Sequence, residues 1–436
     1  MTDTKKSAKR PPPAAKAWML RLLPGWVAGR PVRRVLVLGT AGLLAAGVLG
    51  SAPAGAAGMA PHWSIVPSPN STGVHGVEAA NALAGVSCVS ARACISVGSY
   101  SAGNVSGVSK VLAERWNGRR WAIQAAPSPT SDSSLSAVSC TSARACTAVG
   151  NFVTRRGAVS QKTLAERWNG IRWIIQPTPN PNRFNFLSAV SCTSRRACIA
   201  VGRTQSGSSL DVTMAERWNG RKWTIMHTRN PRQITYADLT GVSCTSATAC
   251  TAVGTYLIPG PSGGSRSLML AERWNGRKWA IQRTPNLASP VLTGVSCTSA
   301  RACTAVGAHG DPVLGEVALA ERWNGTRWAI QAVPTPARES SMYFSAVSCL
   351  SRRACTAVGA YYDSVLGQVA LAERWNGTTW AIQPIPTPPR LQLPNVDLFI
   401  TGASCVSAAE CAAVGSYVYS QSDISSLRTL AERYSR

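Results

Sequence analysis

Cysteine is the residue type most clearly arranged for a chemical role in this 436-residue chain, because its fourteen copies fall into pairs six positions apart. Such a pair could form a local disulfide or supply two thiolates to a metal. Zinc requires about four Cys or His ligands at close spacing, but each pair stands alone and the four histidines follow no repeat. The spacing therefore predicts seven disulfides and no metal site. The pairs are Cys88/Cys94, Cys140/Cys146, Cys192/Cys198, Cys244/Cys250, Cys297/Cys303, Cys349/Cys355 and Cys405/Cys411.

Acid–base chemistry has one candidate group, which consists of Asp311, Glu316 and Asp363 with His309. A hydrolase or lyase acting on carbohydrate needs a non-repeated pair of acids or a histidine of this kind. The stretches HGDP and YYDS around these residues match no catalytic motif, and no long insertion is present to build a catalytic lid. The pattern favours a binding protein over an enzyme without deciding between them, and it predicts no cofactor.

The elements that carry these residues repeat along the chain. The cysteine pairs recur every 52 or 53 residues, with a last step of 56, and the motif LAERWNGRRWAIQ (112–124) recurs with the same period. A period near 50 residues is typical of propellers and solenoids. Each repeat holds four strand-like runs, such as LSAVSC, CTAVGNF, TLAERW and RWIIQ between residues 135 and 176. The Asn-Gly between the third and fourth runs predicts a hairpin turn, and the cysteine pair is expected to clamp the first strand to the second.

The two ends of the repeat region complement each other. The chain stops at TLAERYSR, so the last repeat has a third strand and no fourth, while PHWSIVPSPN (61–70) is a lone fourth strand with its loop. These features predict an all-β fold, a seven-bladed β-propeller of about 52-residue four-stranded repeats. The ring is expected to close where the N-terminal strand, residues 63–66, completes the last blade formed by residues 400–434.

The repeat unit resembles those of secreted bacterial β-propeller proteins, a largely uncharacterised group of high-GC Gram-positive bacteria with a Cys-pair, an AVG and an ERWNG..W motif. The likeness covers about residues 61–434. It implies the propeller fold and export, but no catalytic residue can be carried over from it. The Asp-box of sialidase-type blades, the Trp-Asp ending of WD40 blades and the paired Gly of kelch blades are absent.

The first 57 residues predict a signal peptide or an N-terminal membrane anchor with a long basic leader, and residues 58–436 then form the propeller. An apolar run, VLVLGTAGLLAAGVLG (35–50), follows Arg33 and Arg34, and Ala54 and Ala56 give the spacing of a cleavage site. Cleavage is favoured because Gly, Ala and Pro53 weaken the segment as an anchor. The protein is therefore expected to be secreted or at the cell surface, and Sec and twin-arginine export both remain open.

A net charge of +26 is expected to concentrate at one end of the blades, where the Cys-pair turns and the Asn-Gly turns lie together. The only acid in these turns is Glu410. A basic surface of this kind on an exported protein suggests an anionic polymer as ligand, although arginines in turns also serve simply as solvated surface. The candidate anion-binding residues are Arg92, Arg119, Arg120, Arg144, Arg172, Arg195, Arg196, Arg221, Lys222, Arg277, Lys278, Arg301, Arg327, Arg352 and Arg353.

A set of rings marks the opposite end of the blades. Two residues after each AVG glycine stands a ring-bearing residue in six of seven repeats, the exception being Thr204. Such rings could stack on sugars at the mouth of the central channel, and the competing interpretation is packing between blades. The candidate sugar-stacking residues are Tyr100, Phe152, Tyr256, His309, Tyr361 and Tyr417.

The glutamates of the seven AER motifs, such as Glu114, are interpreted as structural residues paired with an arginine of a neighbouring blade, because an enzyme needs one site rather than seven. The expected function is a secreted, non-enzymatic binding or scaffold propeller for an anionic or carbohydrate polymer of the cell envelope. The alternatives are a carbohydrate-active hydrolase or lyase with acids in the 309–363 loops, and a protein–protein interaction platform. We expect a monomer with no specific nucleic-acid partner and with membrane contact only through residues 35–57, if these are uncleaved.

Overall fold

The computed structural model describes residues 61–72, 79–101, 108–155, 157–207, 210–260, 263–336, 341–386, 397–421 and 424–435. These residues belong to the second of the two units into which the chain divides, Gly58–Arg436. The predicted signal or anchor, residues 1–57, lies outside the described residues. Within the described ranges no helix is long and apolar enough to cross a membrane.

The described residues form 28 β-strands and no helix. The first fifteen are β1 (His62–Ile65), β2 (Ala80–Ser90), β3 (Ala93–Ser101), β4 (Ser109–Trp116), β5 (Trp121–Ile123), β6 (Ser133–Ser142), β7 (Ala145–Thr154), β8 (Ser160–Trp168), β9 (Trp173–Gln176), β10 (Asn185–Ser194), β11 (Ala197–Ser206), β12 (Leu210–Trp218), β13 (Trp223–Met226), β14 (Tyr236–Ser246) and β15 (Ala249–Pro259). The remainder are β16 (Ser265–Trp274), β17 (Trp279–Gln282), β18 (Val291–Ser299), β19 (Ala302–Asp311), β20 (Gly315–Trp323), β21 (Trp328–Gln331), β22 (Met342–Ser351), β23 (Ala354–Asp363), β24 (Gly367–Trp375), β25 (Trp380–Gln383), β26 (Leu398–Ser407), β27 (Glu410–Gln421) and β28 (Ile424–Ser435).

Consecutive strands pair as four-stranded antiparallel units, which we number 1 to 7 from β2 onward. Units 1 to 6 each contain four successive strands, and unit 7 consists of β26, β27, β28 and β1. The N-terminal strand therefore pairs with the C-terminal one, with Trp63 opposite Tyr434. Units 3 and 4 share one sheet because a single parallel bridge joins Asp211 to Tyr236. The four predicted runs between residues 135 and 176 coincide with β6 to β9.

The hydrophobic core consists of seven clusters, each of which combines residues of two consecutive units. One cluster contains Ile95 of unit 1 and Trp168 of unit 2. Another contains Leu83 of unit 1 and Val414 of unit 7. Apolar side chains thus fill both faces of a unit, which explains why the middle strands show continuous buried runs rather than a two-residue alternation.

The first strands of neighbouring units contact each other directly, and small residues make this approach possible. A Cβ atom added to Gly85 would lie 3.2 Å from Cα of Ala137, and one added to Gly402 would lie 3.1 Å from Cα of Gly85. In every unit, the backbone N–H of the first cysteine donates a hydrogen bond of 2.9–3.0 Å to a serine Oγ of the preceding unit. The serine–cysteine pairs are Ser404–Cys88, Ser87–Cys140, Ser139–Cys192, Ser191–Cys244, Ser243–Cys297, Ser296–Cys349 and Ser348–Cys405.

Candidate functional site

Each unit has two chemically different ends, which we call the turn end and the loop end. The turn end holds the turn between the first and second strands and the Asn-Gly turn between the third and fourth. The seven predicted disulfides are all formed there, and the two cysteines of each lie directly opposite each other on adjacent strands. The disulfide prediction is therefore confirmed. The bonded pairs are Cys88–Cys94, Cys140–Cys146, Cys192–Cys198, Cys244–Cys250, Cys297–Cys303, Cys349–Cys355 and Cys405–Cys411.

The two cysteines of a disulfide have different surroundings, and here the predicted role as a clamp within one unit is incomplete. The first cysteine of each pair is partly exposed, whereas the second is buried and belongs to the hydrophobic cluster shared with the preceding unit. The first cysteine also packs against that cluster, so the whole disulfide is part of the packing between units, and the cysteine spacing gave no sign of this. The seven buried cysteines are Cys94, Cys146, Cys198, Cys250, Cys303, Cys355 and Cys411.

Contacts of Cys303 and Cys355 show how the disulfide reaches the preceding unit. Sγ of Cys303 lies 3.6 Å from Oγ1 of Thr251 in unit 4, and Sγ of Cys355 lies 3.6 Å from Oγ1 of Thr304 in unit 5. A disulfide sulfur carries no proton, so the threonine hydroxyl is the donor and the sulfur a weak acceptor. The predicted role of the disulfide as a clamp within one unit is therefore incomplete. Cys303 and Cys355 each contact the preceding unit as well as joining two strands of their own unit.

Arginine stems pack the two turns of one unit against each other. A Cβ atom added to Gly118, whose φ is +95°, would lie 2.9 Å from Cγ of Arg92. Glycine at this place supplies both the left-handed backbone and room for the arginine stem. Arg144 and Gly170 repeat the contact. The guanidinium group extends beyond the stem toward water, so these arginines combine a packing role with an exposed charge.

All fifteen candidate anion-binding residues are exposed in the structure. Their distribution is uneven. Unit 3 carries four of them, Arg195, Arg196, Arg221 and Lys222, while unit 7 carries none. Unit 7 instead contributes Glu410, whose carboxylate accepts a hydrogen bond of 2.7 Å from Arg433. The one acid of these turns is therefore already paired, and the exposed surface of the turn end is cationic.

Like charges lie close together at this end. The pKa of Arg167 is lowered by burial and then by the neighbouring Arg195, and the pKa of Arg322 is lowered by burial and then by Arg352. A positive charge that lowers the pKa of another cation marks a region of positive potential. Such a region attracts anions, and the attraction is weakened by salt when the charges are exposed.

The arginines of the AER motifs lie near the turn end and reach across to the next unit. The guanidinium carbon of Arg322 lies 5.0 Å from the ring centre of Trp375, and that of Arg433 lies 4.7 Å from the ring centre of Trp116. These are cation–π distances. The Arg433 contact joins unit 7 to unit 1.

The seven AER glutamates are completely buried between units. Among the interactions of the described residues, the predicted arginine of a neighbouring unit is found only for Glu272, through the charge of Arg229. Oγ of Ser68 donates to Glu114 (2.8 Å), Oγ1 of Thr163 donates to Glu216 (3.4 Å), and the backbone N–H of Arg229 donates to Glu272 (3.0 Å). The AER arginine that faces the same boundary as Glu114 lies over an aromatic ring instead, since Arg433 stacks on Trp116.

Burial raises the pKa of every one of these carboxyls, and the positive charge of Arg229 partly offsets this effect for Glu272. The pKa rises from 4.5 to about 7 for Glu114, Glu272 and Glu321. It rises to about 8 for Glu166, Glu216, Glu373 and Glu432. A carboxyl in an apolar setting loses the hydration that favours its charged form. Their presence in every unit supports the interpretation that these glutamates are structural.

The candidate sugar-stacking residues lie at the loop end, near the exit of each second strand. Five of them are partly buried and pack against the clusters between units, and Nδ1 of the sixth, His309, lies 3.1 Å from the carbonyl oxygen of Gly310. These contacts account for the rings as packing residues, and sugar stacking by them stays a prediction. The five are Tyr100, Phe152, Tyr256, Tyr361 and Tyr417.

The acids proposed for an enzyme have turn-forming roles. Oδ1 of Asp311 accepts hydrogen bonds from the backbone N–H groups of Val313 and Leu314, and these bonds lower its pKa. Asp363 accepts the equivalent pair from residues 365 and 366 in the next unit. An aspartate that bonds the backbone two and three residues onward is a common turn device. Glu316 is partly buried, which raises its pKa.

A polar cluster that the sequence interpretation missed lies at the loop end between units 3 and 4. Nη1 of Arg203 donates to Oδ2 of Asp238 (3.0 Å), and Nε of Arg203 lies 3.6 Å from Oδ2 of Asp211. The hydroxyl of Tyr236 donates to the same Oδ2 of Asp238 (3.3 Å), and the guanidinium carbon of Arg203 lies 4.0 Å from the ring centre of Phe186. Burial is the largest influence on Asp238 and raises its pKa.

Two departures from the repeated sequence pattern could have indicated this cluster. The residue after each AVG glycine is small or neutral in every unit except at Arg203, and the residue six before the first cysteine is acidic only at Asp238. Each departure is unremarkable alone, and the structure brings the two together across a unit boundary. Within the described ranges no group of three or more His, Cys, Asp or Glu residues could hold a metal ion.

No protein-family model and no curated protein sequence matches this chain. Solved structures resemble it at low identity. YCF48 bound to D1 peptide has a TM-score of 0.49 and 11% identity over 86% of this chain and 95% of that chain. YCF48 from Cyanidioschyzon merolae has a TM-score of 0.48 and 12% identity over 86% and 99%. A protein of unknown function from Dyadobacter fermentans has a TM-score of 0.44 and 10% identity over 86% and 98%. Likenesses this distant carry no conclusion about function.

Proposed function

We propose that the seven units are the blades of a closed β-propeller. Three contacts between unit 7 and unit 1 support closure: the Cys88 N–H donates to Ser404 Oγ (2.9 Å), Oγ1 of Thr401 donates to the Leu83 carbonyl (2.7 Å), and Arg433 lies over Trp116. The cysteine–serine hydrogen bond also joins every other pair of consecutive units. A ring in which each blade has two neighbours leaves only short outer strands with free edges.

The propeller is proposed to be exported. Seven disulfides support this placement, because disulfides persist in oxidising compartments and are rare in the cytosol. The basic leader and apolar run within residues 1–57 supply the export signal in this proposal.

The exported protein is proposed to bind an anionic polymer of the cell envelope through its turn end, without catalysis. The observation that carries this proposal is the exposure of fifteen cations in adjacent turns whose one acid, Glu410, is paired with Arg433. A polymer with regularly spaced negative charges could contact several units at once, and weak contacts that act together give a high overall affinity. The ring of units supplies that multiplicity without a deep pocket.

Binding of the purified protein to immobilised teichoic acid at low and high salt tests this function. We expect affinity to fall at least about tenfold between 50 and 200 mM NaCl, as for other polyanion complexes with several phosphate contacts. The variant R195E/R196E/R221E/K222E should lose a further tenfold or more at low salt. An affinity that changes neither with salt nor with this charge reversal would overturn the proposal.

The matched control makes the same change in net charge at the loop end. The variant R155E/R183E/R232E/R266E reverses four exposed cations that lie away from the turns. It should bind teichoic acid within about threefold of the unmodified protein if local charge at the turn end decides binding. Equal losses in the two variants would instead mean that net charge alone drives the interaction.

A further inference from the structure

Two boundaries between units carry a pair of arginines that the other boundaries lack. Arg167 of unit 2 lies near Arg195 of unit 3, and Arg322 of unit 5 lies near Arg352 of unit 6. In each pair, burial and then the charge of the second arginine lower the pKa of the first, so the two charges act on each other directly. The other five units have alanine at the place of the second arginine. These alanines are Ala91, Ala143, Ala247, Ala300 and Ala408.

The first arginine of each pair is held in position by the next unit. The guanidinium carbon of Arg322 lies 5.0 Å from the ring centre of Trp375, and its Nη2 donates a hydrogen bond of 2.6 Å to the backbone carbonyl oxygen of Arg352. The guanidinium carbon of Arg167 lies 5.4 Å from the ring centre of Trp218. A guanidinium group that is already ordered loses less freedom when it binds a ligand.

The boundary between units 6 and 7 shows that the second arginine is not needed for this arrangement. Nη2 of Arg374 donates a hydrogen bond of 2.6 Å to the backbone carbonyl oxygen of Ala408, and the guanidinium carbon lies 4.7 Å from the ring centre of Tyr434. The same contacts therefore form with alanine at this place. A second positive charge beside the first adds repulsion to the folded state, so its presence at two boundaries calls for a reason other than folding.

The paired arginines are unmatched by acids and open to solvent. Within the described ranges, no carboxylate forms an ion pair with any of the four. Arg195 and Arg352 are exposed, and Arg167 and Arg322 are partly exposed. Each pair thus offers two guanidinium groups, from two different units, to one anion.

The shape of the anion follows from this arrangement. A carboxylate is planar, and one guanidinium group can bind both of its oxygens. A phosphate group is tetrahedral, so its unesterified oxygens point in different directions and two guanidinium groups can each bind it. We propose that each arginine pair binds one phosphate group, Arg167 with Arg195 and Arg322 with Arg352. This inference rests on the anionic-polymer function proposed above and adds that the polymer carries phosphates rather than carboxylates.

The variant R195A/R352A tests the pairs on immobilised teichoic acid and, in parallel, on polygalacturonate, whose charges are carboxylates. Its affinity for teichoic acid should fall by about tenfold, because two phosphate contacts are lost. Its affinity for polygalacturonate should fall by only about threefold, through the smaller general charge. Equal losses on the two polymers would overturn the assignment to phosphate.

The matched control R172A/R327A removes two exposed arginines from Asn-Gly turns of units 2 and 5. It makes the same change in net charge at the same end, and both polymers should bind it about threefold more weakly. If R195A/R352A and the control lose teichoic acid affinity equally while binding still falls with salt, the arginine pairs fail and the anionic-polymer function stands. No binding of teichoic acid by the unmodified protein would overturn both.

Melting temperatures separate a binding role from a structural one. In NaCl, R195A/R352A should melt at the same temperature as the unmodified protein or higher, because the substitutions remove repulsion. Inorganic phosphate at about 50 mM, compared with NaCl of equal ionic strength, should raise the melting temperature of the unmodified protein more than that of the variant. The general effect of phosphate on protein stability is common to both. A lower melting temperature in NaCl with an undiminished phosphate effect would show that the second arginines are structural.

Teichoic acid distinguishes a polymer from free phosphate as the ligand. At equal phosphate concentration it should stabilise the unmodified protein more than inorganic phosphate does, because one polymer chain contacts several cations of the turn end. Equal stabilisation by the two would identify free phosphate as the ligand and overturn the polymer as its source.

Discussion

The turn end and the loop end of the units follow different rules. At the turn end, the disulfide recurs in all seven units and the Asn-Gly turn in six, as Cys140–Cys146 and Gly170 illustrate for unit 2. At the loop end, the residue at one equivalent place is Asp238 in unit 4 and Tyr343 in unit 6, where a hydrogen bond from Gln368 satisfies the hydroxyl. What the fold requires is repeated, whereas what occurs once needs a separate explanation.

Buried carboxyls show the same contrast. Seven glutamates occupy equivalent places between units, and their repetition marks them as part of the packing. Asp238 is buried once, beside an arginine that is equally unique. Repetition therefore separates two roles that burial and a raised pKa alone do not distinguish.

The largest expected effect comes from removing what is common to every turn end. Reduction of all seven disulfides should lower the free energy of unfolding by on the order of 10 kcal/mol, since closing a short loop contributes about 2 kcal/mol each. Chemical unfolding with and without reductant, with thiol titration to verify fourteen free cysteines, measures this. The double variant C140S/C146S should cost about 2 kcal/mol. Equal stability of the reduced and oxidised proteins would show that the disulfides of the turn end do not stabilise the fold.

The next effect concerns pH and the seven buried glutamates. Their pKa values in the folded protein lie at about 7 to 8, above the value of 4.5 that applies to an ordinary glutamate. Between these pH values the folded state binds more protons than the unfolded chain, so the free energy of unfolding falls as pH rises. The stabilisation is fully present below about pH 4.5 and is lost as pH rises through 7 to 8. Calorimetry between pH 5 and pH 8 should show a loss of at least about 5 kcal/mol, because each carboxyl contributes about 1.4 kcal/mol per pH unit. A melting temperature that rises over this range would contradict the burial of the glutamates.

A smaller effect distinguishes individual glutamates. Neither oxygen of Glu166 has a hydrogen-bond partner, whereas Glu114 accepts a bond from Ser68. Glu166→Gln should therefore stabilise the protein by about 2 kcal/mol at pH 8 and by less than about 0.5 kcal/mol at pH 5, where the carboxyl is already neutral. Glu114→Gln should stabilise it less at pH 8. If the two substitutions have equal effects at both pH values, the raised pKa is not the cause.

The smallest expected effect concerns the turn-end cations. Arg119 and Arg120 are exposed in an Asn-Gly turn, so R119E/R120E should change the free energy of unfolding by less than about 0.5 kcal/mol. Thermal unfolding in parallel with teichoic acid binding separates the two roles, since binding should weaken while stability stays constant. A large loss of stability would instead show that these two arginines contribute to the stability of the fold.

The repeated features were predicted well from the sequence, because each pattern occurs several times and the copies support one another. The strand runs and the disulfides each rest on several copies of one pattern. The alternation of a strand and the geometry of an Asn-Gly turn then determine which residues share a face.

The contacts between units were harder to predict, because a repeat shows which residues are equivalent and not which of them meet. Arg203 and Asp238 are 35 residues apart, in different units, and their contact depends on how the second strand of one unit lies against the first strand of the next. An arginine of a neighbouring unit was predicted as the partner of each AER glutamate without a basis for choosing which arginine meets it, whereas Arg167 and Arg322 stack on the tryptophan of the following unit. The contacts of Cys303 and Cys355 with threonines of the preceding unit were missed in the same way.

Unit 7 is assembled from two distant parts of the chain, because β1 pairs with β28. The fold therefore does not require the interruption between the third and fourth strands to lie in this unit. His62 and Ser435 lie opposite each other at the turn end of unit 7, where every other unit has an Asn-Gly turn. In the segment 62–435, a short linker between these two residues would give a circular chain, and a new break could then be placed in any Asn-Gly turn. Circular permutants opened at Gly118 or Gly276 should therefore fold to the same structure, with unit 7 acquiring the covalent hairpin that its neighbours already have.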